Sequence, residues 1–307
     1  MEVKTWKFGW CVGIERAYRL MNKQASLAEG KPIYATHDSQ QPNTNADMDT
    51  LTRITQGDGH LLERFPALKA VKVLHDPSVL RGDETLLLGF HGLPRDTIED
   101  LTGKGIEVKD YKCTFIARLD NSVDRLVAEG FDILIVGKRQ NHHSRYAQET
   151  ASRHQRQCVI IEQLEDVETI PLETASQWAL VGQVTANTLL WKAVVERVQQ
   201  RGLAAQVLQT VCSDSYQRQE NAMELAQQAD FCLVVDDGGG ASQSLFEVLS
   251  AVHAKVFRCR WRDDGSWKAS IDASWLTGAG RVAVVGGILV PKWAIDEVAD
   301  YVQRGMA

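Results

Sequence analysis

No stretch of this 307-residue chain is apolar for long enough to cross a membrane; its longest apolar runs are only of strand length. Its first segment, Met1-Glu-Val-Lys-Thr-Trp-Lys7, lacks the apolar core of a secretory signal. Together these absences lead us to expect a cytoplasmic protein with no membrane partner. A basic surplus is missing too. Lys and Arg number 34 against 40 Asp and Glu, for a formal net charge of −6, so the chain lacks the electrostatic footprint of a nucleic-acid binder. None of the six cysteines (Cys11, Cys113, Cys158, Cys212, Cys232, Cys259) stands in a CxxC pair, which removes the common zinc and thioredoxin signatures. In a reducing cytosol disulfides are not expected, and a chain of this length buries its core without them. There is no low-complexity segment. Gly238–Gly240 follows an apolar run, but it has neither the GxGxxG spacing nor a Walker lysine, and it reads as a tight turn.

What is present is a nearly unbroken alternation of strand and helix signals. Short apolar runs lie at Pro32–Thr36, Thr85–Phe90, Phe131–Gly137, Gln157–Glu162, Gln177–Gln183, Phe231–Asp236, Ala254–Arg258 and Arg281–Gly286. Amphipathic stretches separate them, among them Ile14–Ala28, Phe115–Glu129, Asn187–Gln200, Asp214–Gln228 and Pro291–Arg304. This order predicts an α/β fold with mainly parallel sheets. The polar stretch Asp38–Asp49 reads as a loop leading into a helix.

The alternation is repeated. Residues Cys113–Gly137 and Cys212–Asp236 align without a gap at an offset of 99, each running cysteine, helix, turn, apolar strand, and Cys11–Thr36 keeps the same order. The chain therefore reads as three pseudo-repeated α/β modules, 1–112, 113–211 and 212–307, each with one cysteine at the start of a helix. A helix N-terminus favours thiolate over thiol. Three such thiolates aimed at one point suit a cuboidal iron–sulfur cluster with one iron lacking a cysteine, and so left for substrate. The plainer reading makes the three cysteines small buried residues at strand–helix junctions. Cys158, Cys232 and Cys259 lie within β-rich runs and read as core.

The segment Gly9-Trp-Cys-Val-Gly-Ile-Glu-Arg-Ala17 resembles the G-F-C-x-G-V-x-R-A signature of the LytB/IspH-type hydroxymethylbutenyl diphosphate reductases. The similarity continues in order through Pro32–His37, Phe90-His-Gly-Leu-Pro94, Asp110–Cys113 and Cys212 to Arg218-Gln219-Glu220. The resemblance implies a trefoil of three modules around an oxygen-sensitive 4Fe–4S cluster held by Cys11, Cys113 and Cys212. It also implies ferredoxin or flavodoxin as electron donor, and reductive loss of a hydroxyl as water from a small molecule bound at the open iron.

The pocket motifs depart from the family pattern. H-x-x-x-H-N becomes His37–Pro42, keeping His37 and placing Gln41 at the second histidine. The segment carrying a histidine and a proton-delivering glutamate becomes Gly137-Lys-Arg-Gln-Asn141-His142-His143-Ser-Arg-Tyr, where His142 or His143 replaces the histidine and the glutamate has no counterpart. Q-T-T becomes Gln183-Val184-Thr185. The S-S-N-S diphosphate loop becomes Asp236-Asp-Gly-Gly-Gly-Ala-Ser242-Gln243-Ser244, and Leu289 stands where a serine is usual. Each lost charge-assisted hydrogen bond to a diphosphate costs about 1.5–3 kcal/mol. The expectation is a LytB-like oxidoreductase with a kept cluster and a changed substrate.

In that scheme His91, His142 or His143, and Thr185 orient substrate and supply protons. His37, Gln41, Asn141, Ser242, Gln243 and Ser244 contact substrate. Trp10 packs near the cluster. Arg218 and Gln219 sit by default on a helix surface, with a local structural role if the resemblance holds. Two alternatives stay open: the isoprenoid diphosphate reductase itself with a rebuilt pocket, and a non-catalytic redox sensor or electron carrier with Gln41, Asp237 or a histidine on the fourth iron.

Overall fold

The structure is a computed structural model; it describes residues 1–5, 9–28, 30–36, 59–74, 76–93, 95–170, 177–261 and 265–305. The candidate residues His37 and Gln41, and the loop expected at 38–49, lie outside the described residues.

The described chain forms three four-stranded sheets, every strand pair parallel. The elements run β1 (Glu2–Thr5), α1 (Val12–Ser26), β2 (Ile33–Thr36), α2 (Gly59–Arg64), β3 (Lys72–Leu74), β4 (Thr85–Leu88), α3 (Arg95–Gly103) and β5 (Glu107–Asp110). They continue with α4 (Thr114–Ala128), β6 (Phe131–Val136), α5 (His142–Arg153), β7 (Cys158–Ile161), β8 (Gln177–Gly182), α6 (Thr188–Gln200) and β9 (Ala205–Val207). The last are α7 (Ser213–Ala226), β10 (Phe231–Asp236), α8 (Gly240–Val252), β11 (Val256–Arg260), β12 (Arg281–Gly286) and α9 (Lys292–Gln303). The expected α/β class and three-module organisation are thus present, and the two gapless copies begin their helices 99 residues apart, at Thr114 and Ser213.

All eight apolar runs are strands. The other four strands, β1, β3, β5 and β9, each lie at a sheet edge. An edge strand has one neighbour and little buried face, so Glu107-Val-Lys-Asp110 and Ala205-Gln-Val207 carry no apolar run to announce them. Central strands do. All six residues of β10 are buried, and burying a Val, Leu or Phe side chain is worth about 1.5–3 kcal/mol.

The strand orders are β3-β2-β4-β5, β7-β6-β8-β9 and β11-β10-β12-β1. Within each sheet the second strand flanks the first, then come the third and fourth. The third sheet takes its fourth strand from the other end of the chain: Glu2–Thr5 pairs with Arg281–Val284. Residues 2–5 therefore belong with the third module's sheet and not with 1–112. Backbone pairing at an open edge decides this, and the polar strand Glu-Val-Lys-Thr carries no pattern that names its partner.

By compactness the chain divides into two units, Trp10–Thr114 and Met1–Gly9 with Phe115–Ala307. The first packs Leu80, Leu86, Leu88, Leu101 and Ile106 over its sheet. In the second unit, Trp178 and Trp191 anchor one core, and Cys232, Val234, Leu245 and Leu249 build another.

Candidate functional site

The strand order reverses between the first and third strands of each sheet, and open parallel sheets bind ligands beyond the carboxyl ends at such switch points. Each described candidate residue lies after such a strand end in its own sheet. His91 follows β4, Asn141–His143 follow β6, Thr185 follows β8, and Asp237–Ser244 follow β10. The three cysteines occupy a second recurring place, between each sheet's fourth strand and the next helix. Cys11 lies between β1 and α1, Cys113 between β5 and α4, Cys212 between β9 and α7.

Two backbone bonds link these places. The Cys113 N–H donates to Phe90 O at 2.8 Å, and the Cys212 N–H donates to Val184 O at 2.9 Å. The residues after those carbonyls are His91 and Thr185. In two modules, then, the cysteine is fixed one peptide away from a candidate catalytic side chain, a relation the sequence repeat did not reveal because it joins different loops.

Cys11 and Cys212 occupy the N-cap positions of α1 and α7, with extended backbone, and both are nearly buried. Within the first unit, a Cβ placed on Gly13 would lie 3.3 Å from Cys113 Sγ and 3.7 Å from Cys11 Sγ. The bare glycine leaves room beside two sulfurs that sit at helix starts, a donor set and a cradle that fit a thiolate-held iron–sulfur cluster. Cys212 belongs to the other unit. Among the described residues, no three His, Cys, Asp or Glu side chains form a group that could hold a metal ion. Trp10, expected beside the cluster, stacks on Tyr18 at 4.7 Å.

The other cysteines behave differently. Burial pushes the Cys158 thiol up to about 12, that of Cys232 to about 11 and that of Cys259 to about 12. A raised thiol stays protonated and unreactive below its pKa, so at pH 8 these three are expected to resist maleimide in the folded protein and to react on unfolding. Peptide mapping by mass spectrometry checks this; rapid native labelling of Cys158 would contradict it.

His142 and His143 do not lie in a loop, as their polar surroundings suggest. They form the first turn of α5, whose N-cap Asn141 accepts the His143 N–H at 3.0 Å. An N-capping Asn before a periodic run is a helix-start signal, and polar residues hid the run. His143 is buried and its ring meets that of His142 edge-on at 5.5 Å.

Gln183 locks the loop before them. Its Nε2 donates to Lys138 O at 2.8 Å and to Ser144 Oγ, and its Oε1 accepts the Lys138 N–H at 3.1 Å. A Cβ on Gly137 would lie 2.1 Å from Gln183 Cδ, which is why that position holds glycine. Beyond this pin, a Cβ on Gly240 would meet Asn141 Nδ2 at 3.4 Å and Thr185 Oγ1 at 4.0 Å. Asn141, Thr185 and the start of α8 thus border one place.

Arg218 and Gln219 are buried, not surface residues. Arg218 pairs with Asp214 at 3.0 Å. Gln219 Oε1 accepts the Thr188 N–H at 2.8 Å, and its Nε2 donates to Ala186 O at 3.0 Å. It thereby ties α7, which starts after Cys212, to the Thr185 loop.

The stretch after β10 is closed by its own carboxylates. Asp236 Oδ1 accepts the Gly238 N–H at 2.7 Å. Asp237 Oδ1 accepts the Gly239 N–H at 2.9 Å and the Ser242 hydroxyl at 2.7 Å. Gly238 takes φ +79°, Gly239 caps the helix, and Gly240 begins α8, so the helix starts at the last glycine of the expected turn. Gln243 donates to Glu247 at 2.7 Å, Ser242 and Ser244 are buried, and Lys138 pairs with Glu247 at 2.8 Å. Burial pushes Glu247 up, but bonds from Gln243 and Lys138 outweigh it and hold the carboxyl below its usual range. The Lys138–Glu247 pair was not foreseen; 109 positions apart, nothing in the sequence links them.

Among the described residues, no helix is long and apolar enough to cross a membrane. The fold matches two solved structures at low identity. One is an (E)-4-hydroxy-3-methyl-but-2-enyl diphosphate reductase (TM-score 0.58, 20% identity, 99% of each chain covered), and the other a diphosphate reductase from Plasmodium falciparum (TM-score 0.77, 14% identity, 98% of this chain and 87% of that one). The 4-hydroxy-3-methylbut-2-enyl diphosphate reductase of Geobacter sulfurreducens is 27% identical over 298 residues, covering 96% of this chain and 94% of its own. That of Aquifex aeolicus is 23% identical over 306 residues, covering 96% and 93%. The LytB protein family model matches residues 3–303, nearly the whole length, and the chain belongs to that family.

Proposed function

We propose that this chain is an iron–sulfur oxidoreductase of the LytB type that removes a hydroxyl reductively from a small molecule other than the isoprenoid diphosphate. A 4Fe–4S cluster held by Cys11, Cys113 and Cys212 would supply, when bound, the Lewis acidity and the relay for two electrons from ferredoxin or flavodoxin. Two electrons and two protons turn a C–OH into a C–H and water. The chain's own residues bind and protonate. Thr185 and Asn141 offer a hydroxyl and an amide to substrate oxygen, and His91 with His142 or His143 carries protons near neutral pH. His37 and Gln41 complete the proposed contacts.

One observation carries the change of substrate: Gly238 N–H, Gly239 N–H and the Ser242 hydroxyl already donate to Asp236 and Asp237. A diphosphate in this loop would meet carboxylates where it needs donors, and an unpaired buried charge is very costly. The names of the relatives favour a second reading, that the chain is itself a 4-hydroxy-3-methylbut-2-enyl diphosphate reductase. Anaerobically reconstituted protein, given that diphosphate and a chemical reductant, is expected to yield no five-carbon diphosphate products above the blank. Robust turnover would establish the second reading.

A further inference from the structure

Helix α1 buries one face and leaves the opposite one to solvent. Ile14, Ala17, Tyr18, Met21 and Ala25 form the buried stripe. Val12, Arg16, Arg19 and Lys23 are all exposed. At about 100° per residue these four fall within about 60° of one another, opposite the buried stripe. With a rise of about 1.5 Å per residue they make a row about 16 Å long.

The row starts beside Cys11, which occupies the N-cap of the helix. Val12, the next residue, is 81% exposed, the most exposed large apolar side chain among the described residues. Leu27, the C-cap residue, is exposed at the other end. Between them the row is positive. Glu15 is the one carboxylate of α1, and two guanidiniums take it, Arg64 at 2.6 Å and Arg19 at 3.4 Å. Among the described residues, no carboxylate pairs with Arg16 or Lys23. A chain of formal net charge −6 thus carries a cationic face with exposed apolar side chains at both ends. Arginine is enriched at protein interfaces, and exposed cations steer an anionic partner onto them.

We infer that the exposed face of α1 is the docking surface for the protein that delivers electrons, and that this partner is an acidic one-electron carrier. The inference rests on the proposed reading of the chain as an iron–sulfur oxidoreductase, and it adds where the carrier sits and which side chains receive it. Arg16, Arg19 and Lys23 meet carboxylates of the carrier, and Val12 gives it an apolar contact. Electron transfer weakens steeply with distance. A carrier on this row, whose first residue adjoins Cys11, brings its redox group near a cluster ligand. Each encounter passes one electron from the reduced carrier to the cluster, with no bond made or broken. Two encounters supply the pair that the proposed reaction consumes. A face one helix wide suits transient electron-transfer complexes, which bury less than about 1,200 Å² in total.

The test is calorimetric titration of anaerobically reconstituted full-length protein with two acidic carriers, an oxidised flavodoxin and a two-iron ferredoxin, at low ionic strength. Arg16→Glu with Lys23→Glu is expected to weaken binding by about tenfold or more. Arg153→Glu with Lys255→Glu makes the same change in net charge at exposed positions of the second unit, and at most about a twofold loss is expected. In about 1 M salt, where the Debye length is about 3 Å, wild type and the α1 variant are expected to converge.

A loss confined to the α1 variant supports the inference. An equal loss in the control overturns it, as net charge would then be the cause. An α1 variant that melts like the wild type, keeps its cluster spectrum and binds as tightly overturns it and leaves the proposed function standing. Wild-type protein that holds its cluster but binds neither carrier does the same. Protein that retains no iron overturns both. Should the two reversals unfold α1, Arg16→Gln with Lys23→Gln decides, by a severalfold loss or its absence.

Discussion

Serine in place of Cys11, Cys113 or Cys212 is expected to abolish retention of a complete 4Fe–4S cluster and to lower reductase turnover by at least about a hundredfold. The argument begins with the chemistry of the ligand. A thiolate is soft and easily formed at a helix start, whereas a serine hydroxyl is a hard and very weak acid. Cys11 and Cys113 both border the space left by Gly13, so losing either removes half of the pair in that unit. Cys212 keeps the same position on α7 and is held by its bond to Val184 O. Its loss should leave the fold intact, since serine is a better N-cap than cysteine. Cys158→Ser is the control, because that thiol sits in β7 and is protonated. Iron and sulfide analysis with Mössbauer spectroscopy after anaerobic reconstitution reads the result. Full iron content in all three variants would end the assignment of these cysteines as ligands, while loss of iron in Cys158→Ser would remove its selectivity.

Gln219→Leu is expected to cost about 2–4 kcal/mol of stability and to lower substrate affinity as well. Leucine nearly preserves the volume, so the loss comes from hydrogen bonding. Without the amide, the Thr188 N–H and Ala186 O lose the partners seen at 2.8 and 3.0 Å in a buried setting. A buried polar group left unpaired costs about 1–3 kcal/mol. The consequence extends to the site, as Ala186 and Thr188 bracket Asn187, the N-cap of α6, just after Thr185. A freed loop would hold the Thr185 hydroxyl less firmly. Urea unfolding gives the first quantity and the KM against kcat split the second. A Gln228→Leu control on the exposed end of the same segment should change neither. A stable Gln219→Leu protein with unchanged KM would show that the pin is dispensable.

Much of this molecule was legible in its residues, and the reason is burial. Every strand with two neighbours had to be apolar, so the central strands and the threefold repeat were written in hydrophobic runs. Cysteine before each amphipathic helix marked three equivalent places. Four of the six described edge strands were hidden because they bury little, while β7 and β11 kept apolar runs. The helical start at His142 was hidden because α5 is polar along most of its length, with Asn141 its only clear signal.

The sequence by itself determined the α/β class, the three modules and the positions of the three candidate ligand cysteines, since these depend on local periodicity and spacing. Tertiary structure decided what spacing cannot express. It closed the third sheet with the chain's first strand, because backbone pairing at an edge is blind to side chains. It buried Gln219 and Gln183 as pins between loops, because only packing brings residues more than thirty positions apart within hydrogen-bond reach. It also turned Asp237 onto the start of α8, where it accepts the Gly239 N–H and the Ser242 hydroxyl, because a carboxylate beside free donors takes them.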